Sequence, residues 1–303
     1  MKKTIRTIII SFLIVFAVVM LKNCCSYMLP NHAFGIRYII GEGKADYLFV
    51  GSSSFRKGIN MMTLEKELGD NTYALTYNGN QPMNVYIELK QMLEAGTEIG
   101  TIIYELEPGM VDRGADLSDK RLLWDIDMKS KHEIWQHLKE RDDADFFMFY
   151  DYYVSSNMDY LLTYPVSYPM IAKRYYKGGN NGSDISPAKT KEELDKLPIK
   201  EDPGIDDLQK DSLVKIIELC ENNGIKLIFL EPPKYIRMYG DKNYSEKITM
   251  LVDFLKEEGA LVIMGEDMGF DNTNPDYYSD FSHMSGEGMN VFTDKVIEVL
   301  KSN

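Results

Sequence analysis

Five short apolar runs, each stopped by glycine, proline or a polar turn, constrain this 303-residue chain more than any other feature. They are Tyr47-Leu-Phe-Val50, Tyr73-Ala-Leu-Thr-Tyr77, Thr101-Ile-Ile-Tyr-Glu-Leu106, Ile225-Lys-Leu-Ile-Phe-Leu230 and Ala260-Leu-Val-Ile-Met264. Runs of this length bounded by turn residues suit strands buried on both faces. Segments of helical spacing lie between them: Met61 to Leu68, Val85 to Ala95, Leu213 to Asn222 and Tyr244 to Glu258. In the second, Val85, Leu89, Met92 and Leu93 share a face; in the third, Leu213, Ile216, Ile217 and Cys220 do. Gly69, Gly96, Gly224 and Gly259 close the four segments, and a last helix is expected from about Gly286 to Leu300. Strands alternating with helices make a parallel sheet covered on both sides. The expected fold class is therefore α/β, a doubly wound parallel sheet.

The alternation breaks between the third and fourth strands. Residues from about 110 to 205 read as a mostly helical insertion. Its first part is rich in aromatics, among them Trp124, Trp135, Phe146, Phe147, Phe149, Tyr150, Tyr152 and Tyr153. These either wall a substrate cleft or pack the insertion on the sheet, and packing is the expectation, because aromatic side chains carry much of core burial. Lys177-Gly-Gly-Asn-Asn-Gly-Ser183 reads as a flexible loop. His132 and His137, on a charged helix, read as surface residues, and His32 has no catalytic setting.

The N-terminus adds a separate constraint. Lys2, Lys3 and Arg6 precede an apolar run from Ile8 to Leu21. A cleaved signal peptide would want a small-x-small site after it, and a lipoprotein would want small residues before Cys24; Lys22-Asn23 supplies neither. Residues 1–25 therefore read as an uncleaved signal anchor, 26–43 as a stalk broken by Pro30, Gly35, Gly41 and Gly43, and 44–303 as the α/β domain. The basic flank predicts a cytoplasmic N-terminus and an extracytoplasmic body. The net charge of −13 argues against general nucleic-acid binding, which needs a basic footprint. Three cysteines give no disulfide framework, and none has metal-site spacing with histidine.

In open parallel sheets, ligands bind beyond the carboxyl ends of the strands. Three polar segments are expected there: Gly51-Ser-Ser-Ser54, Asn78-Gly-Asn80 and Asp280-Phe-Ser-His283. A hydroxyl becomes a nucleophile beside a base, and an acid residue holds that base in place. Ser53, His283 and Asp280 supply those groups. The backbone N–H of Ser53, the backbone at Gly79 and the Asn80 side chain supply donors for an oxyanion. The plainer readings are a common serine-rich turn and an aspartate near a helix start. Arg56 either binds an anionic group or pairs with a carboxylate such as Asp46. Glu231-Pro-Pro233 edges the cleft or merely ends a strand.

On Gly51-Ser52-Ser53 after the first strand and Asp280-x-x-His283 before the last helix, the chain resembles the SGNH/GDSL hydrolase superfamily. Within it, the chain is similar to the membrane-anchored branch of the D-alanyl transfer protein of teichoic acid assembly and the alginate-type O-acetyltransferases. The likeness covers roughly 44 to 110 and 206 to 301 and carries the family nucleophile to Ser53 and its acid and base to Asp280 and His283. Gly79 and Asn80 fall at the family's glycine block, whereas Glu105-Leu-Glu107-Pro108 stands where Gly-x-Asn-Asp is usual. The resemblance implies an extracytoplasmic serine acyltransferase or esterase without cofactor or metal. It also implies a cell-envelope glycan or teichoic-acid-like substrate and a multispanning membrane acyltransferase as partner. The alternative is a catalytically idle binding or scaffold subunit of such a machine, because fold does not fix function.

Overall fold

The computed structural model describes residues 2–28, 35–112, 122–140, 145–162, 175–180, 182, 185–199 and 204–302. The main sheet has five parallel strands: β1 Lys44–Gly51, β2 Thr72–Thr76, β3 Glu98–Glu105, β4 Lys226–Leu230 and β5 Leu261–Ile263. Their order is β2-β1-β3-β4-β5. The principal helices are α1 Lys2–Met28, α2 Ser53–Gly58, α3 Met61–Leu68, α4 Pro82–Glu94, α5 Asp207–Asn222, α6 Lys242–Glu257 and α7 Gly286–Ser302. The expected α/β class with a parallel sheet is what the chain adopts.

Alternation along each strand divides the core into two layers, as a sheet covered on both sides requires. Leu48, Val50, Leu75, Ile102, Tyr104 and Phe229 pack with α4, α5 and α6 through Leu89, Leu213 and Leu251. Phe49, Ala74, Ile103 and Leu230 face the other way, against Phe55, Leu64, Phe292 and Val296. The register sets Val50 beside Tyr104 and Glu105 beside Leu230, so the carboxyl ends of β1, β3 and β4 lie together. From β1 the chain steps to β2 on one side, while β3 pairs with β1 on the other. That reversal opens the crevice in which doubly wound sheets bind ligands.

The stretch around Lys177 departs from expectation. Tyr175–Tyr176 pairs with Gly179–Asn180 in a small antiparallel hairpin. It covers the free edge of β2: the Ala74 N–H donates to Lys177 O at 2.9 Å and Thr76 Oγ1 to Gly178 O at 2.6 Å. A side chain at Gly178 (φ +93°) would collide with the Ala74 carbonyl, so the glycines permit close backbone approach. Their richness signals docking against an edge strand here, and no flexible loop is seen at 175–180.

The insertion carries helices at Leu122–Asp125, Met128–Glu140, Phe146–Tyr150 and Lys191–Lys196. Its aromatics pack on one another edge-on or tilted, with Trp135 against Phe149, Tyr152 and Tyr153. His132 is exposed beside Gln136, and His32 lies outside the described residues. The α1 helix runs 27 residues, so polar flanks extend the apolar run, and Lys2–Cys25 is long and apolar enough to cross a membrane.

Candidate active site

β1 leaves the sheet at Gly51 and turns at once into α2. Glu105, at the end of the neighbouring strand β3, reaches across Gly51 to hold this turn. Its Oε2 accepts the backbone N–H of Ser52 at 2.5 Å and of Phe55 at 3.3 Å, and its Oε1 accepts Ser52 Oγ–H at 2.9 Å. A Cβ at Gly51 would stand 2.6 Å from the Glu105 Cβ, which is a physical reason for glycine there. Ser54 is tied down as well: its Oγ donates to Glu107 Oε2 at 2.9 Å and accepts from Lys234 Nζ at 3.2 Å. Of the three serines, Ser53 alone points its hydroxyl at an imidazole, with Oγ 2.8 Å from His283 Nε2.

His283 comes from a tight loop joined at its base by pairing of Tyr278 with Met284 and by the Ser279 N–H donating to His283 O at 2.9 Å. Asp280 Oδ1 accepts the backbone N–H of Ser282 at 2.9 Å and of His283 at 2.8 Å. Its Oδ2 stands 2.8 Å from His283 Nδ1. Asp280 does not cap the last helix, which starts at Gly286 with Ser285 Oγ accepting the Gly288 N–H at 3.2 Å. Burial pushes the Asp280 carboxyl up, but hydrogen bonding to His283, the imidazole charge and the backbone donors outweigh it and hold the group at about 2. A carboxylate only accepts, so Nδ1 carries a proton and, in the neutral ring, Nε2 is left to accept from Ser53.

Beneath the serines lies a buried charged floor. Lys234 is fully buried, and its Nζ donates to Glu107 Oε2 at 3.0 Å. Burial, then the neighbouring Glu107, pushes the Glu105 carboxyl up to about 8. Burial also acts upward on Glu107, but Lys234 prevails and keeps it ionised, with a hydrogen bond from Glu105. Sequence reasoning noted the Glu105-Leu-Glu107 departure but gave these side chains no role, and Lys234 escaped it. The available signal was the two-residue spacing of the glutamates at a strand end, which puts both on one face.

Ser53, Asp280 and His283 open onto a cavity of about 600 Å³, which Gly79 and Asn80 also line. Asn80 is 7% exposed, and neither its Oδ1 nor its Nδ2 has a hydrogen-bond partner among the described residues. Such a buried, unpartnered amide is costly unless something in the cavity answers it. The Ser53 backbone N–H also makes no hydrogen bond among the described residues. Leu197, Pro198, Ile199, Met238 and Phe281 form apolar wall. Arg237 fastens the Leu197 segment, donating to the carbonyls of Leu194 at 3.2 Å and Leu197 at 2.8 Å, and lies over the Phe281 ring. The insertion's share of the wall thus comes from residues 197–199, and the aromatics at 124–153 do not line the cavity.

Of the two other candidates, Arg56 is not paired with Asp46, and Glu231 does not edge the cavity. Arg56 donates to Asn78 Oδ1, while Asp46 is held by Lys44 and Asn71, each at 2.9 Å. Glu231 is buried, accepting from Tyr244 Oη and the Gly265 N–H at 3.1 Å each, and does not line the cavity.

Solved structures that resemble the chain include two from Bacteroides. One is a putative acylhydrolase from Bacteroides fragilis NCTC 9343, 12% identical, covering 86% of this chain and 88% of that one with a TM-score of 0.40. The other is a GDSL-like lipase from Bacteroides thetaiotaomicron VPI-5482, 11% identical, covering 86% and 89% with a TM-score of 0.40. At that level the likeness bears on neither chemistry nor site residues. No family model and no curated protein matches the chain.

Proposed function

We propose that the protein is a serine-dependent acyltransferase or esterase with Ser53 as nucleophile, His283 as base and Asp280 as the group that orients it. The observation that carries this reading is the relay at the cavity wall: 2.8 Å from Ser53 Oγ to His283 Nε2, and 2.8 Å from His283 Nδ1 to Asp280. His283 takes the Ser53 proton as Oγ attacks an ester carbonyl. The tetrahedral oxyanion is met by the Ser53 N–H, the Gly79 N–H and Asn80 Nδ2. Its collapse breaks the ester bond, and the departing alcohol takes the proton from His283. The acyl group on Ser53 then passes to a hydroxyl that His283 deprotonates, either a sugar or polyol hydroxyl or water. Asp280 stays ionised throughout, so it stabilises the imidazolium that forms at each step.

The apolar wall at Leu197–Ile199, Met238 and Phe281 supports an acyl group as the part of the substrate held nearest the protein. An α1 long and apolar enough to cross a membrane supports work at a membrane surface. With the N-terminus in the cytoplasm, the acceptor in this proposal is a cell-envelope glycan or teichoic-acid-like polymer. The acyl donor side is then served by a multispanning membrane acyltransferase.

A serine-directed fluorophosphonate probe tests the nucleophile. The folded wild type should label, and Ser53→Ala and His283→Ala should not; labelling that survives in folded Ser53→Ala rules Ser53 out. Asn80→Ala should lower kcat for an activated aryl acetate by about 10²–10³-fold with little change in KM, the effect of losing one oxyanion donor. An unchanged kcat would remove Asn80 from the mechanism.

A further inference from the structure

Where α1 meets the body, cations outnumber carboxylates. Lys22 directly follows the apolar run of α1, yet it is only 2% exposed. Its Nζ donates to the Trp124 carbonyl at 2.8 Å and lies 5.3 Å from the centroid of the Tyr160 ring. Lys131 is 1% exposed, with Ser156 Oγ 3.3 Å from its Nζ. Arg37 donates Nε to the Asp125 carbonyl at 3.2 Å and is near enough to both lysines to oppose their charges. Among the described residues none of these cations forms an ion pair with a carboxylate; the one buried carboxylate near enough to act on both lysines is Asp125, so cations stay in excess. Burial, then Arg37, pushes the Lys131 ammonium down to about 8. The Trp124 indole N–H is also buried without an acceptor. A buried surplus of charge and donors is strongly unfavourable without an anion that offers several oxygens.

A second observation lies on the same junction. The helix Phe146–Tyr150 runs on into a wider, π-helical stretch at Asp151–Ser155, which packs against α1. Phe146 and Phe147 are 73% and 76% exposed, and Phe149 and Tyr150 are also exposed. At about 1.5 Å of rise per residue they stand within about 8 Å of the segment that touches α1. Beside a helix long and apolar enough to cross a membrane, Tyr150 suits the headgroup level and the three exposed phenylalanines suit the acyl boundary beneath it. The net charge of −13 would hold the body off an anionic leaflet, so a local cation cluster is where approach is favourable.

We propose that this junction is a phospholipid site, in which the Phe146–Tyr150 segment enters the leaflet beside α1 and one lipid phosphate is met by the half-buried Arg37, with Lys22 and Lys131 buried behind it and adding positive charge. The occupied site would fix the tilt of the body on its anchor, and with it the direction in which the 600 Å³ cavity opens. Full-length protein, delipidated in detergent and given phosphatidylglycerol, should retain one lipid in native mass spectrometry. Lys131→Met removes the charge while keeping the volume, and its fold is checked by melting temperature. It should bind phosphatidylglycerol about five-fold more weakly or worse, the weight of one basic residue beside an anionic surface. Equal retention by folded wild type and folded Lys131→Met overturns the proposal. Displacement of the lipid by equimolar inorganic phosphate overturns the lipid as the source of the anion. A second arm keeps the test independent of that variant's folding. Phe147→Trp, at an exposed position, adds a tryptophan whose emission, read as variant minus wild type, should fall by at least half in nanodiscs of brominated phosphatidylglycerol. An unquenched signal leaves the segment in water and sinks the proposal.

Discussion

Ser53→Ala is expected to keep the wild-type melting temperature and to lose turnover of an activated aryl acetate on the order of 10⁴-fold or more. The stability should hold because the serine side chain is small and lines the cavity, with His283 as its hydrogen-bond partner. The rate should fall because nothing beside it can replace the nucleophile. Ser52 Oγ is committed to Glu105, and Ser54 Oγ to Glu107 and Lys234. His283→Ala should fall to about the same level, and the double variant no further, since the two groups act as one unit. Steady-state kinetics with a folding control settles this. Ser53→Ala retaining a tenth of the wild-type rate would mean that another group attacks the ester.

Lys234→Ala is expected to destabilise the protein by about 3–5 kcal/mol, the usual result of removing one partner from a buried charged pair. It leaves Glu107 beside Glu105 with no cation and opens a cavity under the nucleophile turn. Chemical denaturation at constant pH measures the loss, and a change below about 1 kcal/mol would show that the floor bears no such charge. Glu105 gives the pH side of the same prediction. Its folded pKa is raised to about 8, so its contribution is fully present below the unfolded carboxylate value near 4.3 and is lost as pH rises towards 8. Glu105→Gln keeps an acceptor for the Ser52 and Phe55 N–H groups but cannot ionise. Melting temperatures at pH 5 and pH 8 should therefore fall less in Glu105→Gln than in wild type. An equal fall in both would mean that Glu105 is already ionised at pH 5.

The sequence by itself determined where strands and helices lie, because burial on one or both faces writes a period of 2 or 3.6 into the chain. Boundaries moved by a few residues: β1 begins at Lys44 and β5 shortens to Leu261–Ile263. It also located the candidate site, since strands running parallel bring their carboxyl ends to one rim. The Asp280–His283 pair was legible for a local reason, as three residues of spacing in a tight turn let a carboxylate reach an imidazole.

The sequence already pointed to Ser53 among the three serines, but only the tertiary structure shows why its neighbours are restrained. The groups that restrain Ser52 and Ser54 come from β3 and from the turn after β4, and strand order makes them neighbours of β1. The hairpin on β2, the apolar wall at 197–199 and the cation cluster under α1 have the same origin. Hydrogen-bond partners and unpaired charges are properties of distance in three dimensions, and no periodicity along the chain records them.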